Sequence, residues 1–329
     1  MTSAVIVNLL TILLSGLFAW FVLVLLLPVL RRNFLDNPNA RSSHYKATPR
    51  GGGLAFVLLS SMASLVAFLF SSSLPSASLP LVAAPLLALP LALVGFLDDR
   101  HNLPASWRYG VQLATALVVT MLSPLVSSSV GLLPLLALLV IAVTAVINFT
   151  NFMDGLDGLV SGCMVFAIAS AAIHLAAPWP VWALIGALMS FLFWNWSPAK
   201  VFMGDVGSTF LGAVFCVLVL QASTWSDALA LLLVATPLLG DACLCVPRRL
   251  MNGQRVFQAH RLHLFQRLHQ AGWSHSRVSI YYTVATAVLA LVLPWGGLPW
   301  VSTLAALELL FGIWLDQQVA VPFSVASRF

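Results

Sequence analysis

The sequence is dominated by long apolar runs of about 20 residues, separated by short polar segments. A run of that length can cross a bilayer as one helix, because the hydrocarbon core is about 30 Å thick. Only 8% of the residues are charged, whereas soluble domains are about one quarter charged. We therefore predict an all-α, polytopic membrane protein in which residues 1–329 form a single integral membrane domain.

The apolar runs predict about eleven transmembrane helices, or ten if one of the two weakest runs does not span. They lie near residues 4–30, 51–70, 78–97, 108–126, 130–149, 157–177, 179–196, 207–222, 227–246, 278–296 and 299–319. The weakest are the Pro-rich run at 78–97 and the short run at 108–126. The first run is not expected to be a cleaved signal peptide, because it is long and Arg31 and Arg32 follow it.

Basic residues give the orientation. If the N-terminus lies outside and the spans alternate, all fifteen Lys and Arg residues fall on one side, mostly in 31–50 and 248–277. The positive-inside rule makes that side cytoplasmic. The net charge of +5 then belongs to an inner face that meets anionic lipid or phosphate, and it does not indicate nucleic-acid binding.

The four cysteines lie within predicted spans: Cys163, Cys216, Cys243 and Cys245. Buried cysteines in apolar surroundings usually serve packing, and the Cys-Leu-Cys spacing of 243–245 is not that of a zinc site. We expect structural roles for all four.

Most of the acidic residues gather at one side of the predicted bundle. Eight of the ten acids lie on the cytoplasmic side or at span ends there. A secondary transporter would be expected to hold charges near the bilayer midplane. The distribution favours chemistry at the cytoplasmic surface, with a transporter or a non-catalytic scaffold as alternatives.

The segment NFTNFMDGLDGL, residues 148–159, carries a polar stripe. Asn148, Asn151, Asp154 and Asp157 recur every third residue. On a helix this spacing predicts a single polar ridge, because residues three apart are neighbours on one face. A plain helix end with solvated polar residues is the alternative, but it does not explain the regular spacing.

The segment GFLDDR, residues 95–100, places two acids at another cytoplasmic span end. Adjacent residues on a helix face different ways, so Asp98 and Asp99 are predicted to have different roles. Paired carboxylates suit metal binding or general base catalysis. The pair alone is weak evidence.

The segment FMGDVGS, residues 202–208, precedes a further span. Ser208 is predicted to cap the following helix, and backbone N–H groups near Gly204 could receive phosphate. The Asp205 carboxylate could supply an oxygen ligand to Mg²⁺. A tight turn with a helix cap is the alternative.

Two basic loops complete the predicted site. In residues 254–277, His260 and His263 share a face if the segment is helical, and Arg261 adds positive charge for a diphosphate. An interfacial amphipathic helix is an equal alternative there. In residues 36–53, the basic side chains and the following three glycines predict an anion-binding strip made by Arg41, His44, Lys46 and Arg50.

In this order, the four motifs resemble the polyprenyl-phosphate N-acetylhexosamine-1-phosphate transferases, also called glycosyl transferase family four. The resemblance runs over residues 36 to about 277. It implies transfer of a sugar-1-phosphate from a UDP-sugar to undecaprenyl phosphate, which gives a lipid-linked diphosphate sugar and UMP. It also implies Mg²⁺, or Mn²⁺, as the cofactor.

The resemblance assigns roles to individual residues. It implies that Asn151 and Asp205 hold the metal and that Asp98 or Asp99 helps to deprotonate the lipid phosphate. It also places the acids Asp154 and Asp157 near the nucleotide, and the loop residues His260, Arg261 and His263 near the diphosphate. Six residues are predicted to bind substrate: Arg261, Lys46, His44, Asn148, Gly204 and Ser208.

The patterns PNARSSH, TPRGGG, DDR and HRLH are more similar to the bacterial O-antigen and surface-polysaccharide initiating branch than to the peptidoglycan branch. A phospho-MurNAc-pentapeptide transferase is the alternative. The resemblance implies a multi-pass protein of the bacterial inner membrane with a cytoplasmic active site, and it is compatible with a homodimer. It leaves open the sugar, and whether attack is direct or through a covalent aspartyl intermediate.

Overall fold

The computed structural model describes residues 3–38, 43–44, 46–70, 78–127, 132–254 and 260–327. The basic residues Arg41, Arg255 and Arg328, which entered the predicted strip or the charge pattern, lie outside these ranges.

The described chain is almost entirely helical, which confirms the predicted all-α fold. Its elements are α1 (Ser3–Asn33), β1 (Leu35–Asp36), β2 (Thr48–Pro49), α2 (Leu54–Phe70), α3 (Leu79–His101), α4 (Ala105–Met121), α5 (Pro124–Ser127), α6 (Leu132–Phe152), α7 (Leu159–His174), α8 (Trp179–Asn195), α9 (Asp205–Leu220), α10 (Trp225–Val234), α11 (Thr236–Met251), α12 (Leu264–Gln270), α13 (His275–Gln318) and α14 (Phe323–Ala326). Each predicted apolar run coincides with one or more of these helices.

Four of the described helices, α1, α3, α6 and α13, are long and apolar enough to cross a membrane. The pair α10 and α11 makes a fifth candidate, although it bends by 84° at Ala235. Four further apolar helices, α2, α7, α8 and α9, have 16 or 17 residues. The chain is therefore polytopic, and the predicted number of crossings stays a prediction.

Two predicted boundaries differ from the structure. The predicted span 227–246 is two helices, since Pro237 in the first turn of α11 starts a new helix. The spans 278–296 and 299–319 form one element, α13, which is interrupted by the non-helical Gly297.

Helix α9 is the centre of the bundle, because every residue from Val206 to Leu220 is buried. It packs against α2, α3, α4, α6 and α7. Small residues allow close approach: a Cβ on Gly212 would lie 2.9 Å from the Ile147 Cα of α6. At the periphery, α1 exposes a continuous apolar face that includes Leu13, Leu17 and Phe21, as expected for a surface in contact with lipid.

The short sheet brings the first loop onto the start of α9. β1 and β2 are antiparallel, with Leu35 opposite Pro49. The chain then runs alongside residues 202–203, where the Gly52 and Gly53 amides donate to the Phe202 and Met203 carbonyls at 2.9 and 3.0 Å. A Cβ on Gly53 would lie 2.6 Å from the Gly207 Cα. The glycine run is thus required by backbone-to-backbone packing.

Candidate active site

Asp205 is the first residue of α9 and lies beside Asn151 of α6. Asn151 Nδ2 donates to Asp205 Oδ1 at 3.0 Å and to Ser208 Oγ at 2.9 Å. Gly204, before the helix, has a φ of +78°, a conformation that glycine adopts at little cost. The two predicted metal ligands are therefore in direct contact, although 54 residues separate them in sequence.

Asp99 of α3 holds the start of α9 in place. Its side chain is fully buried and accepts hydrogen bonds from the Asp205 and Val206 amides at 3.2 and 3.4 Å. Arg50 Nη1 lies 3.4 Å from the same carboxylate. The predicted capping role of Ser208 is wrong: α9 has Gly204 at its N-cap, Ser208 lies in the first turn, and the capping carboxylate comes from another helix.

Helix α3 approaches the start of α9 very closely because position 95 is glycine. A Cβ on Gly95 would lie 2.5 Å from the Asp205 carbonyl carbon, and one on Gly204 would lie 2.4 Å from Asp99 Oδ2. The phosphate-binding role predicted for Gly204 and Ser208 stays a prediction. Two amides of this helix start already donate to Asp99, so a phosphate would have to displace that carboxylate to reach them.

Asp98 has different partners from Asp99, as expected for adjacent residues of one helix. Its Oδ2 lies 2.8 Å from Arg108 Nη1, and its Oδ1 accepts from the Leu103 amide at 2.6 Å. Arg108 Nη1 also lies 3.9 Å from Asp205 Oδ2. Asp98 therefore holds the guanidinium of α4 beside Asp205.

We call the space between α3, α4, α6 and the His260–His263 segment the bundle cavity. It has a volume of about 290 Å³ and is lined by Leu91, Val94, Gly95, Ala105, Arg108, Tyr109, Gln112, Asn148, Asn151, Phe152, Asp205, Thr209, His260 and His263. Asn148 forms a reciprocal amide pair with Gln112, at 2.8 and 3.3 Å. The lining of the bundle cavity combines apolar side chains, neutral amides and one guanidinium.

We call the space on the other side of Asp205 the loop cavity. It has a volume of about 240 Å³ and is lined by Asp36, Ser43, His44, Arg50, Asp154, Gly155, Leu156, Asp157, Asn195, Phe202, Gly204, Asp205, Gln266 and His275. Burial raises the pKa of Asp154 to about 7, against the opposing effect of Arg50. Asp205 is the one acid that lines both cavities.

Asp157 ties three segments together. Its Oδ2 lies 3.2 Å from His275 Nδ1 of α13 and accepts from the Ala199 amide at 3.2 Å. His275 Nε2 in turn lies 2.9 Å from the Ser43 carbonyl of the first loop. Burial would raise the pKa of Asp157, but its bonds with His275 outweigh burial and lower it.

The predicted helical ridge over 148–157 is wrong in its second half. Asn148 and Asn151 lie on α6, which ends at Phe152. Asp154 and Asp157 lie in turns before α7. Gly155 and Gly158 allow backbone conformations that end the helix, and Gly158 has a φ of +76°. The turn directs the two acids to the loop cavity, away from the bundle cavity that Asn148 and Asn151 line.

The predicted helical face shared by His260 and His263 is also wrong, because α12 begins only at Leu264. The two rings nevertheless stack, with centroids 4.9 Å apart, and both line the bundle cavity. Burial and the neighbouring His263 lower the pKa of His260 to about 3. Arg261 lines neither cavity; its carbonyl accepts from Gln270 at 3.1 Å.

The two predicted residues of the first loop differ in position. His44 lines the loop cavity and packs against the Phe202 ring at 4.8 Å. Lys46 is exposed and lines neither of the two cavities. The substrate-binding roles of both residues stay predictions.

Sequence reasoning assigned no site role to three residues that shape the site: Arg108, Gln112 and Asp241. It placed Arg50 in an anion-binding strip but did not predict its contact with Asp99. Arg108 gave only a positive-inside signal, and Gln112 lies inside a weak apolar run. Asp241 accepts from the Leu264 and Phe265 amides at 2.8 and 3.0 Å and so fixes the start of α12. An acid within an apolar run was its one sequence signal.

The donor set around Asp205 fits a hard divalent cation. Carboxylate and amide oxygens are the ligands that Mg²⁺ prefers. Asp205 supplies a carboxylate, and Asn151 beside it presents its amide nitrogen to that carboxylate, so rotation of the amide would bring its oxygen to an ion bound at Asp205. The Asp205 side chain is 27% exposed, so an ion could reach it without rearrangement of the bundle.

The fold and the site define a class: an integral membrane protein with carboxylates gathered beside two cavities of a helical bundle. A sequence model described as glycosyl transferase family 4 matches residues 81–223, which run from α3 to α9. The chain is therefore similar to that family over residues 81–223. The resemblance seen in the motifs is confirmed.

Curated relatives support the assignment. The chain is 28% identical over 269 residues, which are 75% of its length and 72% of the relative, to a protein of Bacillus subtilis (strain 168) described as a probable undecaprenyl-phosphate N-acetylglucosaminyl 1-phosphate transferase. It is 35% identical over 38% of its length to the phospho-N-acetylmuramoyl-pentapeptide-transferase of Mycobacterium leprae, of which 34% is covered. For the enzyme of the same name from Carboxydothermus hydrogenoformans, the identity is 33% over 35% of this chain and 34% of the relative.

Proposed function

We propose that this protein transfers an N-acetylhexosamine-1-phosphate, or a 6-deoxy derivative, from a UDP-sugar to undecaprenyl phosphate. The products are a lipid-linked diphosphate sugar and UMP. The observation that carries the proposal is the position of Asp205, which lines two cavities of different character and contacts Asn151. A transferase needs two substrates to meet at one point, and this carboxylate marks such a point.

The loop cavity suits the UDP-sugar. Its lining is mostly polar, and Arg50 and His44 offer donors for diphosphate oxygens. The ring of Phe202 offers an aromatic surface for the base. Asp154 and Asp157 add acceptors for the N–H and hydroxyl groups of a nucleoside.

The bundle cavity suits the lipid phosphate. Leu91, Val94 and Ala105 give it an apolar wall, and Arg108 presents a guanidinium held by Asp98. A guanidinium binds phosphate oxygens in a bidentate manner. The acceptor phosphate would then lie on the opposite side of Asp205 from the donor diphosphate.

Asn151 and Asp205 would hold Mg²⁺, which when bound neutralises diphosphate charge and stabilises the leaving UMP. The protein groups align the two phosphates and offset their repulsion. Asp99 acts as a positioning residue for Asp205, because its carboxylate is occupied by the start of α9. Asp98 likewise positions Arg108. We favour direct attack by the lipid phosphate.

We further propose that the reaction opens O-antigen or surface-polysaccharide synthesis at the cytoplasmic face of the bacterial inner membrane. The similarity to the Bacillus subtilis relative extends over 75% of this chain, so its description as a probable N-acetylglucosaminyl 1-phosphate transferase supports an N-acetylglucosamine-type donor. A pentapeptide donor is the second candidate, supported by the identity of 35% to the Mycobacterium leprae enzyme over a shorter region.

The test is an assay with purified protein, Mg²⁺, undecaprenyl phosphate and a panel of UDP-sugars that includes UDP-MurNAc-pentapeptide. We expect UMP release and a lipid-linked diphosphate sugar with one UDP-N-acetyl sugar, and neither product without the lipid. Turnover of the pentapeptide donor alone would favour the second candidate. Absence of UMP with every donor would contradict a transferase.

A further inference from the structure

Cys245 of α11 lies beside His260 and His263. One ligand atom from each of the three residues lies within 4.8 Å of the others. They come from two separate segments, since Cys245 is on α11 and the histidines precede α12. The mechanism proposed above makes no use of the thiol.

His263 is buried, and its two ring nitrogens differ in their surroundings. Its side chain is 2% exposed and its Nδ1 faces Asp241, whereas its Nε2 makes no hydrogen bond within the described residues. A buried polar group without a partner costs about 1–3 kcal/mol. Such a group in a packed region therefore points to a ligand that completes its environment.

Asp241 orients the His263 ring. Its Oδ1 lies 3.4 Å from His263 Nδ1. The carboxylate itself is fixed by two α12 amides and by the Tyr282 hydroxyl, which donates to Oδ2 at 2.8 Å. A carboxylate facing one nitrogen of an imidazole leaves the other nitrogen for a metal ion, an arrangement common behind histidine ligands.

The remaining two groups also suit a metal. The His260 ring stacks on the His263 ring with centroids 4.9 Å apart, and an imidazole nitrogen is a common ligand of such an ion. Cys245 lines a separate cavity of about 330 Å³, bordered by Asp241, Arg248 and Tyr282. An ion could enter through that cavity.

We propose that Cys245, His260 and His263 form a binding site for a thiophilic divalent cation such as Zn²⁺. One thiolate and two imidazoles are preferred by Zn²⁺, whereas the oxygens at Asp205 suit Mg²⁺. Both histidines line the bundle cavity, so a bound ion would draw them away from a substrate there. That inhibition rests on the proposed function, but the binding site does not.

The test titrates the full-length protein, purified in detergent without a polyhistidine tag, with Co²⁺ as an optical probe. We expect one equivalent to bind with a thiolate-to-cobalt charge-transfer band, and Zn²⁺ but not Mg²⁺ to abolish the band. Cys245→Ser should remove it, and His260→Gln should weaken binding by about tenfold or more. Cys243→Ser is the matched control, because this cysteine lies two residues away and is exposed.

A second measurement covers the case in which Cys245→Ser does not fold. In the wild-type protein, Zn²⁺ should slow alkylation of Cys245 while that of Cys243 is unchanged, as read by mass spectrometry. A wild-type titration without a thiolate band, or equal alkylation with and without Zn²⁺, would overturn the site. Neither readout depends on sugar transfer, so failure of the UMP assay would leave this test intact.

Discussion

The two cavities on either side of Asp205 differ in the kind of charge they hold. The loop cavity has four acids, Asp36, Asp154, Asp157 and Asp205, with Arg50 among them. In the bundle cavity, Asp205 is the single acid among the described lining residues, and the wall includes three neutral amides and three aliphatic side chains. Under the proposed function, one carboxylate would serve two substrates, each of which lies in a separate environment.

The strongest test of this comparison removes the group common to both cavities. Under the proposed function, Asp205→Asn should lower kcat by about a thousandfold or more, because it removes the charge that holds the cation between the substrates. The UMP assay measures this. Asp227→Asn is the control, since it makes the same chemical change at a partly exposed acid in the first turn of α10, which Thr224 caps, and it should retain activity. Wild-type turnover in Asp205→Asn would refute the shared role.

The next test displaces the Asp205 backbone by a substitution on the neighbouring helix and leaves the Asp205 side chain itself unchanged. Gly95→Ala would place a methyl group 2.5 Å from the Asp205 backbone, so α3 and α9 must separate. We expect a stability loss of about 1–3 kcal/mol and a fall in kcat of about a hundredfold. Thermal unfolding and the UMP assay measure the two effects.

The matched control is Gly110→Ala on α4, where an added Cβ meets nothing within 4 Å. It should leave stability and activity unchanged or slightly improved, since alanine favours helix. Equal effects at positions 95 and 110 would show that close packing of α3 on α9 does not position the site.

The third test separates the two cavities. Arg108→Lys should raise the KM for undecaprenyl phosphate by about tenfold and leave the KM for the UDP-sugar nearly unchanged, because lysine cannot bind phosphate in a bidentate manner. Arg50→Lys should show the opposite pattern. Steady-state kinetics with each substrate varied in turn would measure both. The same KM change in both variants would contradict separate substrate sites.

The smallest effect concerns pH and the loop cavity alone. The pKa of Asp154 is about 7 in the folded protein and about 4 in an unfolded chain. The folded state therefore holds a proton that the unfolded state has lost, so stability falls as pH rises from about 4 to 7 and is then constant. Asp154→Asn should remove about 1 kcal/mol of this fall between pH 6 and pH 7. Identical unfolding profiles for variant and wild type would argue against the raised pKa.

Periodicity and charge predicted the membrane-embedded helical fold, because apolar runs of span length have few other uses. The family resemblance implied that Asn151 and Asp205 contribute to one site, and the structure places the two in contact. The spacing of three over residues 148–157 predicts one helix, but it fits a helix end followed by a turn equally well. The spacing alone therefore does not locate the end of α6 at Phe152. Gly155 and Gly158 were the available signal for a turn.

The tertiary partners could not be predicted. Arg50 reaches Asp99 across 49 residues, and nothing local marks that pair. The bend between α10 and α11 had a signal in Pro237, but an apolar run conceals it. The pairing of Cys245 with two histidines depends on how α11 approaches α12, which no spacing rule describes.

The pairing of residues 52–53 with residues 202–203 bears on how this protein should be cut for expression. A truncation chosen from the limits of the family match, residues 81–223, would lack those glycines and Arg50. It would leave the Phe202 and Met203 carbonyls without their donors and the buried Asp99 without its counter-ion. Working fragments of this enzyme should therefore begin before β1, well upstream of the recognisable sequence signature.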